Sequence, residues 1–169
     1  MDRLLEATFR AERDHFWFRG FRRFVSPLLA QASQGRSDLR LIDCGCGTGN
    51  NLRLLQPYGQ AFGFDLTKSG LAYARGSGLE PVAQASVAAI PFPSAAFDIV
   101  TSFDVLICLP EPVERAALGE MWRVLKPGGS SRTPRTSGLP RGAVEVHARG
   151  AVSVDGDGSG SATDGGPGA

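Results

Sequence analysis

The sequence predicts an α/β fold, a parallel sheet flanked by helices with a helical segment in front of it. Two observations carry that expectation. Between about residues 38 and 129, short apolar runs alternate with amphipathic stretches, and strands that are apolar throughout are buried on both faces by helices. The first of these runs, "LRLIDCG", also empties into a glycine-rich turn, "DCGCGTGN", that leads straight into the next helix.

The elements follow in order. Residues 2 to 14 have helical spacing at Leu4, Leu5, Thr8 and Phe9. The aromatic and basic stretch "HFWFRGFRRFV" comes next. A second helix is expected over residues 19 to 33, kinked or restarted at Ser26-Pro27, where Ser could cap and Pro could take the first helical position. "LRLIDCG" is the first strand, and "NNLRLLQPYG" is a short helix closed by Pro57 and Gly59. "QAFGFD" is the second strand, and "LTKSGLAYARGSG" a helix ended by Gly76 and Gly78. "EPVAQA" is a short third strand and "FDIVTSFDVL" a strong fourth. In "PVERAALGEMWRVLKPGG", Val113, Ala116, Ala117, Met121, Val124 and Leu125 share one helical face, and Pro127-Gly128-Gly129 stop the helix.

Bulk properties narrow the function. At 169 residues and a formal charge of +1 the chain fits one ordinary domain and carries no general basic field for nucleic acid. No apolar run reaches the ~18 residues of a membrane span, and the charged N-terminus lacks a signal peptide's apolar core, so a cytoplasmic protein is expected. Cys44, Cys46 and Cys108 lack the partners of a zinc site, so no metal is expected. Cys44 and Cys46 read as small residues in a crowded loop, and Cys108 as a buried, apolar-like residue rather than a nucleophile. Aromatic residues stop before residue 123. Residues 130 to 169 are rich in Gly, Ser, Ala and Arg, which predicts a largely disordered tail with a poor hairpin in "AVEVHARGAVSV". The expected layout is a helical segment at 1–37, a core at 38–129 and the tail at 130–169.

The glycine loop is the candidate binding site, because ligands of open α/β sheets sit at the carboxyl ends of central strands. Gly45, Gly47 and Gly49 let the backbone bend and a ligand approach. The order is G-x-G-x-G, with Asn50 where a dinucleotide fingerprint has its third glycine, and no Gly-Lys-Ser/Thr follows for a phosphate loop. Asp65 closes the second strand 18 residues after Gly47, where a carboxylate accepts from a ribose diol or else caps the turn before Thr67.

Taken with "IPFPSAAFDIV" and "RVLKPGG", the loop and Asp65 resemble the class I S-adenosylmethionine-dependent methyltransferases of the broad type-11 group, from about residue 38 to 129. "HFWFRGFRRF" is similar to the segment that precedes the core in a subset of that group. The resemblance implies a Rossmann-like parallel sheet, S-adenosyl-L-methionine as cofactor and a small-molecule methyl acceptor. It implies that Gly45, Cys46 and Gly47 line the methionine part through their backbone and that Asp43 fixes the loop or the amino group. Asp65 would hold the ribose and Leu66 would pack on the adenine. Ser86, where many members carry Asp, and the Val87 N–H would meet the adenine edge. Phe103 and Asp104 would border the methyl group. His15 is a candidate base, as well as a surface or packing histidine. "HFWFRGFRRF" either closes over the substrate or packs the N-terminal helices on the sheet, the latter being the better expectation. Arg19, Arg22 and Arg23 form either a solvated face or a site for an acidic acceptor.

The family continues after "LKPGG" into a fifth strand, whereas this chain reads "SSRTPRTSGLP", a poor strand. The expectation is therefore that strands five to seven are missing and the sheet ends at strand four. Text from about residue 130 would be foreign to the fold, as a shifted reading frame would make it. A methyltransferase, inactive in this form if the missing strands are required, is the main reading. A non-catalytic S-adenosylmethionine- or nucleotide-binding module is the alternative, and an NAD-dependent oxidoreductase is disfavoured by Asn50.

Overall fold

Apolar alternation along the strands sorts the side chains into two buried clusters, one on each face of a single sheet. The computed structural model describes residues 16–127, 143–146 and 152–154. The helix expected at residues 2 to 14 lies outside them. Helix α1 (Phe16–Ser33) is followed by β1 (Leu39–Cys44), the short α2 (Leu52–Leu55) and β2 (Gly59–Asp65). Then come α3 (Lys68–Gly76), β3 (Val82–Gln84), β4 (Ile99–Phe103), α4 (Glu111–Val124), β5 (Ala143–Val146) and β6 (Val152–Val154).

The sheet order is β3-β2-β1-β4-β5-β6. β1 runs parallel to both β2 and β4, with Asp43 opposite Gly63 on one side and Thr101 on the other. The chain winds outward through β2 and β3 in one direction and through β4 in the other. The boundary between the paired strands β1 and β4 is therefore the switch point, at whose carboxyl ends ligands of α/β sheets bind. Leu39, Leu41, Ile99 and Phe103 face α1, α2 and α3, packing with Val25, Leu29, Leu52, Leu55, Leu71 and Ala74. Ile42, Cys44 and Val100 face the other way, toward Ala117, Met121 and Val124 of α4. Successive residues of one strand serve opposite layers, as the two-residue period requires.

Three local expectations change. Helix α1 begins earlier than expected and runs unbroken through Pro27. Ser26 does not cap a restart; its hydroxyl donates back to the Arg22 carbonyl at 2.7 Å, one turn behind. On α4, Val113 and Ala116 are exposed, so only the second half of the helix lies on the sheet. Nor does the sheet stop at strand four. Ala143–Val146 pairs parallel with β4, and Val152–Val154 pairs antiparallel with it in turn, which places the weak hairpin at the sheet's edge. The physical reason is that β4's outer edge offers unpaired N–H and C=O groups, which a Val-rich extended segment satisfies.

The motifs "FD" and "LKPGG" turn out to be one clasp. Asp98 accepts the Arg40 N–H at 2.9 Å and the Lys126 ammonium at 2.8 Å, and the Lys126 N–H donates to the Phe97 carbonyl at 2.8 Å. Beneath it Phe62, Phe92 and Phe97 meet edge to face at 5.0–5.8 Å, with the Arg40 guanidinium over two of the rings. Phe97 is fully buried. Phe97→Ala is expected to cost about 3–5 kcal/mol of unfolding free energy, measured by urea titration; a loss below ~1 kcal/mol would show that this ring cluster is not what anchors the loop after β3.

Candidate functional site

The carboxyl ends of β1, β2 and β4 bring three acidic residues and the glycine loop together. The turn after β1 is held by its own backbone: the Gly45 and Cys46 N–H groups both donate to the Phe64 carbonyl at 2.9 Å, and Gly49 N–H donates to the Cys46 carbonyl at 2.8 Å. Gly45, Gly47 and Gly49 all have positive φ, which side chains rarely adopt. A Cβ on Gly45 would overlap Val105, and one on Gly49 would come within 2.8 Å of Ala74. Gly49 thus lets the turn pack directly on α3. A Cβ on Gly47 would meet nothing within 4 Å. Open space lies in front of that residue, where a ligand can lie against bare backbone.

Asp65 ties this loop to the next helix. Its Oδ2 accepts the Gly47 N–H at 2.8 Å, while Oδ1 accepts the Thr67 N–H at 2.8 Å and the Thr67 hydroxyl at 2.6 Å. Three of about four lone-pair positions are thereby used inside the protein. The turn-capping reading and the ligand-facing reading thus coincide in one side chain. Leu66 follows, 66% exposed, an apolar residue in solvent beside the loop. Its carbonyl accepts Gln84 Nε2 at 2.9 Å, which links it to β3.

Asp43 is 1% exposed, and its Oδ2 has no hydrogen-bond partner. Oδ1 accepts from the Thr101 hydroxyl at 2.9 Å, with the Ile42 carbonyl as that hydroxyl's other acceptor at 3.2 Å. Burial pushes the Asp43 carboxyl up to about 7, against the pull of Thr101, and the nearby charge of Asp65 adds to the rise. A buried carboxylate oxygen without a donor is costly unless something cationic or protic meets it.

The remaining candidates divide. Val87 is buried with the α4-side core, so only its main chain can face a ligand. The Ser86 hydroxyl accepts the Ala88 N–H at 3.2 Å and so serves its own turn. Phe103 shares the Asp43 face of the sheet and is 7% exposed; Phe21 of α1 stands edge-on to it at 5.4 Å. The aromatic segment, at Phe21, thus packs on the sheet at the rim of the crevice. Arg19 and Arg23 are exposed, and Arg22 is half-buried and engaged. Asp104 is exposed with φ +57, a left-handed residue at the end of β4. His15 lies outside the described residues. Burial raises both the Cys44 and Cys46 thiols, the former fully buried, so each stays protonated at neutral pH. Cys108 is exposed, against expectation, because it sits on the short turn after β4 rather than beneath it.

Sequence reading missed Thr101, Gln84 and the pair Glu120 and Arg123. Glu120 accepts the Ile90 N–H at 2.8 Å, and Arg123 donates to the Ile90 and Phe92 carbonyls at 2.9 and 2.8 Å. The two side chains also bond each other at 2.7 Å, and Arg123 holds the Glu120 carboxyl down to about 2. The one signal was "RVLKPGG", which marks where the helix ends without showing what its arginine grips.

The glycine turn after β1, the Asp65 carboxylate ending β2 and the buried Asp43 carboxylate thus stand together at the carboxyl end of a parallel sheet. The family described as methyltransferase domain matches residues 42–132, more than half of the chain, and the chain belongs to it. It is 34% identical over 110 residues to malonyl-[acyl-carrier protein] O-methyltransferase of Enterobacter lignolyticus, covering 64% of this chain and 43% of that protein. The solved YcgJ protein of Bacillus subtilis is 28% identical with a TM-score of 0.53, over 71% of this chain and 48% of that one. A structure titled as a putative S-adenosyl-L-methionine-dependent methyltransferase of Methanococcus maripaludis shares the fold at a TM-score of 0.66 and 15% identity, over 86% and 63% of the two chains. The chain spans about two-fifths of the length of the curated relatives it matches. No described helix is long and apolar enough to cross a membrane.

The Asp43 position has a pH signature. Its folded pKa lies near 7 and an unfolded Asp titrates near 3.9. The stabilising difference is therefore fully present below about pH 4 and is lost as pH rises through 7. Unfolding free energy of the ligand-free chain, measured by denaturant titration, is expected to fall between pH 5 and 8 by on the order of 1–3 kcal/mol, and D43N to remove that fall. An equal fall in D43N would assign it to another group.

Proposed function

We propose that the chain binds S-adenosyl-L-methionine at the glycine loop and belongs to an enzyme that transfers its methyl group to a small molecule. The observation that carries the reading is the Asp43 carboxylate, buried with one oxygen unpartnered beside the open face of Gly47. An unpartnered acceptor oxygen there fits an ammonium group, whose charge would favour the ionised form that burial disfavours. In this reading Asp43 holds the methionine amino group and the open backbone of Gly45, Cys46 and Gly47 takes the chain between amine and sulfur. Asp65 exchanges part of its hold on Thr67 and Gly47 for the ribose hydroxyls. Leu66 loses its exposure beneath the adenine, and Val87 offers its backbone N–H.

The bound cofactor supplies an already activated methyl group on a sulfonium. What the protein must add is alignment of the acceptor and exclusion of water. Phe21 stands edge-on to Phe103 at the end of β4, an apolar contact that supports the second need on the α1 side. A base is required only for an acceptor that must lose a proton, and His15 remains a candidate for it. The small-molecule acceptor rests on the absence of a basic field in the composition. The free thiols suit a reducing, cytoplasmic setting.

Calorimetric titration of the 169-residue chain with S-adenosylhomocysteine is expected to show binding near one to one, weakened at least ~10-fold in both D43N and D65A. A folded circular dichroism spectrum without binding would count against the cofactor. Binding without methyl transfer to any acceptor would favour the alternative, a module that keeps the cofactor half alone.

A further inference from the structure

We propose that Glu120 and Arg123 are positioning residues for adenine, and that this chain recognises the base with the main chain of the segment after β3 rather than with a side-chain carboxylate. The inference rests on the cofactor reading above and adds to it which residues set specificity for the base.

Three observations carry it. The side chain best placed to read the base edge, Ser86, spends its hydroxyl oxygen on the Ala88 N–H of its own turn, and a hydroxyl lacks the second acceptor a carboxylate would bring. The Val87 side chain is committed to the core. What the segment can present is therefore backbone, whose N–H and C=O groups match the ring nitrogen acceptor and the exocyclic amine donor of adenine. Backbone groups have no rotamers with which to search, so recognition depends on where the segment is held.

It is held by two side chains of α4. Arg123 spreads its guanidinium over two carbonyls, those of Ile90 and Phe92, while its remaining donors lock onto both oxygens of Glu120. Glu120 uses one of those oxygens to accept the Ile90 N–H. Ile90 is thus gripped at both its N–H and its C=O, three residues beyond Val87. Further along, the Ala95 and Ala96 N–H groups donate to the Arg123 and Val124 carbonyls. The far end of the segment is therefore fixed by backbone, and the near end, beside the base, by the Glu120–Arg123 pair. A lysine at 123 keeps the charge but lacks the planar fork that spans two carbonyls and a carboxylate at once.

The test is calorimetry on the full chain with two ligands, S-adenosylhomocysteine and S-inosylhomocysteine, which differ at the base edge: the amino donor becomes an oxo acceptor and the N1 acceptor becomes an N–H donor. The wild-type chain is expected to prefer the adenosyl ligand by at least about tenfold. R123K and E120Q, chosen because both keep the bulk of the side chain, are expected to lose most of that preference. Their affinity for the adenosyl ligand should fall about tenfold, with a smaller change for the inosyl ligand. If both affinities drop together and the ratio is preserved, the pair is merely structural and the proposal is overturned. It is also overturned if the wild-type chain binds both ligands equally, which leaves the cofactor reading standing. If the wild-type chain binds neither, the cofactor reading itself fails and this inference with it.

Discussion

The carboxylate of Asp65 joins the parts on which everything else depends. It sits at the end of β2, takes the Gly47 amide from the turn after β1 and takes both donors of Thr67 at the head of α3. Two crossovers that are far apart in sequence are thereby fixed to one strand end. The backbone bonds from Gly45 and Cys46 to the Phe64 carbonyl set the loop's height above the sheet, and Asp65 sets its lean. With the loop so placed, the backbone at Gly47 faces open space, and the Asp43 carboxylate lies buried at the end of the strand that leads into the loop. The side chain that makes the fold is the one the cofactor would bind, so loop order and ligand affinity are coupled through one group.

A second constraint comes from polarity. Asp43 lies on the apolar face of a central strand, between Leu41 and the glycine turn, and one of its oxygens has no donor. A hydrophobic residue there would be better for the free protein by ordinary burial arguments. That the fold tolerates the carboxylate is understandable if the cost is offset by a cationic ligand, since an interaction absent in the free state gives affinity rather than stability. Nothing of this kind applies to Cys44 and Cys46, whose burial keeps the thiols neutral and leaves them as small packing residues.

How far the sequence was legible follows from the range of the forces involved. The four parallel strands, their helices and the glycine turn were readable because periodicity and glycine placement act locally. The roles of Asp43 and Asp65 were half readable: their positions at strand ends were plain, but that Asp65 would cap Thr67 and hold Gly47 together depends on a distance across two strands. The grip of Arg123 on Ile90 and Phe92 joins residues more than thirty apart, and no local pattern reports it. Pro27 misled for the opposite reason. A strong local signal for a break was overruled by the burial of Val25 and Leu29 on either side of it. The hairpin of β5 and β6 was visible as weak alternation, yet its place beside β4 is set by the open edge it meets, which its own residues do not record.

The central claim is that the loop bound by Asp65 is the cofactor site, and amide spectroscopy addresses it most directly. In a proton–nitrogen correlation spectrum of the labelled chain titrated with S-adenosylhomocysteine, the amides of Gly47 and Thr67 report the two bonds that Asp65 must share with a ribose. These two signals are expected to shift earliest and furthest, together with those of Leu66 and Val87. Saturating shifts elsewhere on the sheet, with Gly47 and Thr67 unmoved, would contradict the account.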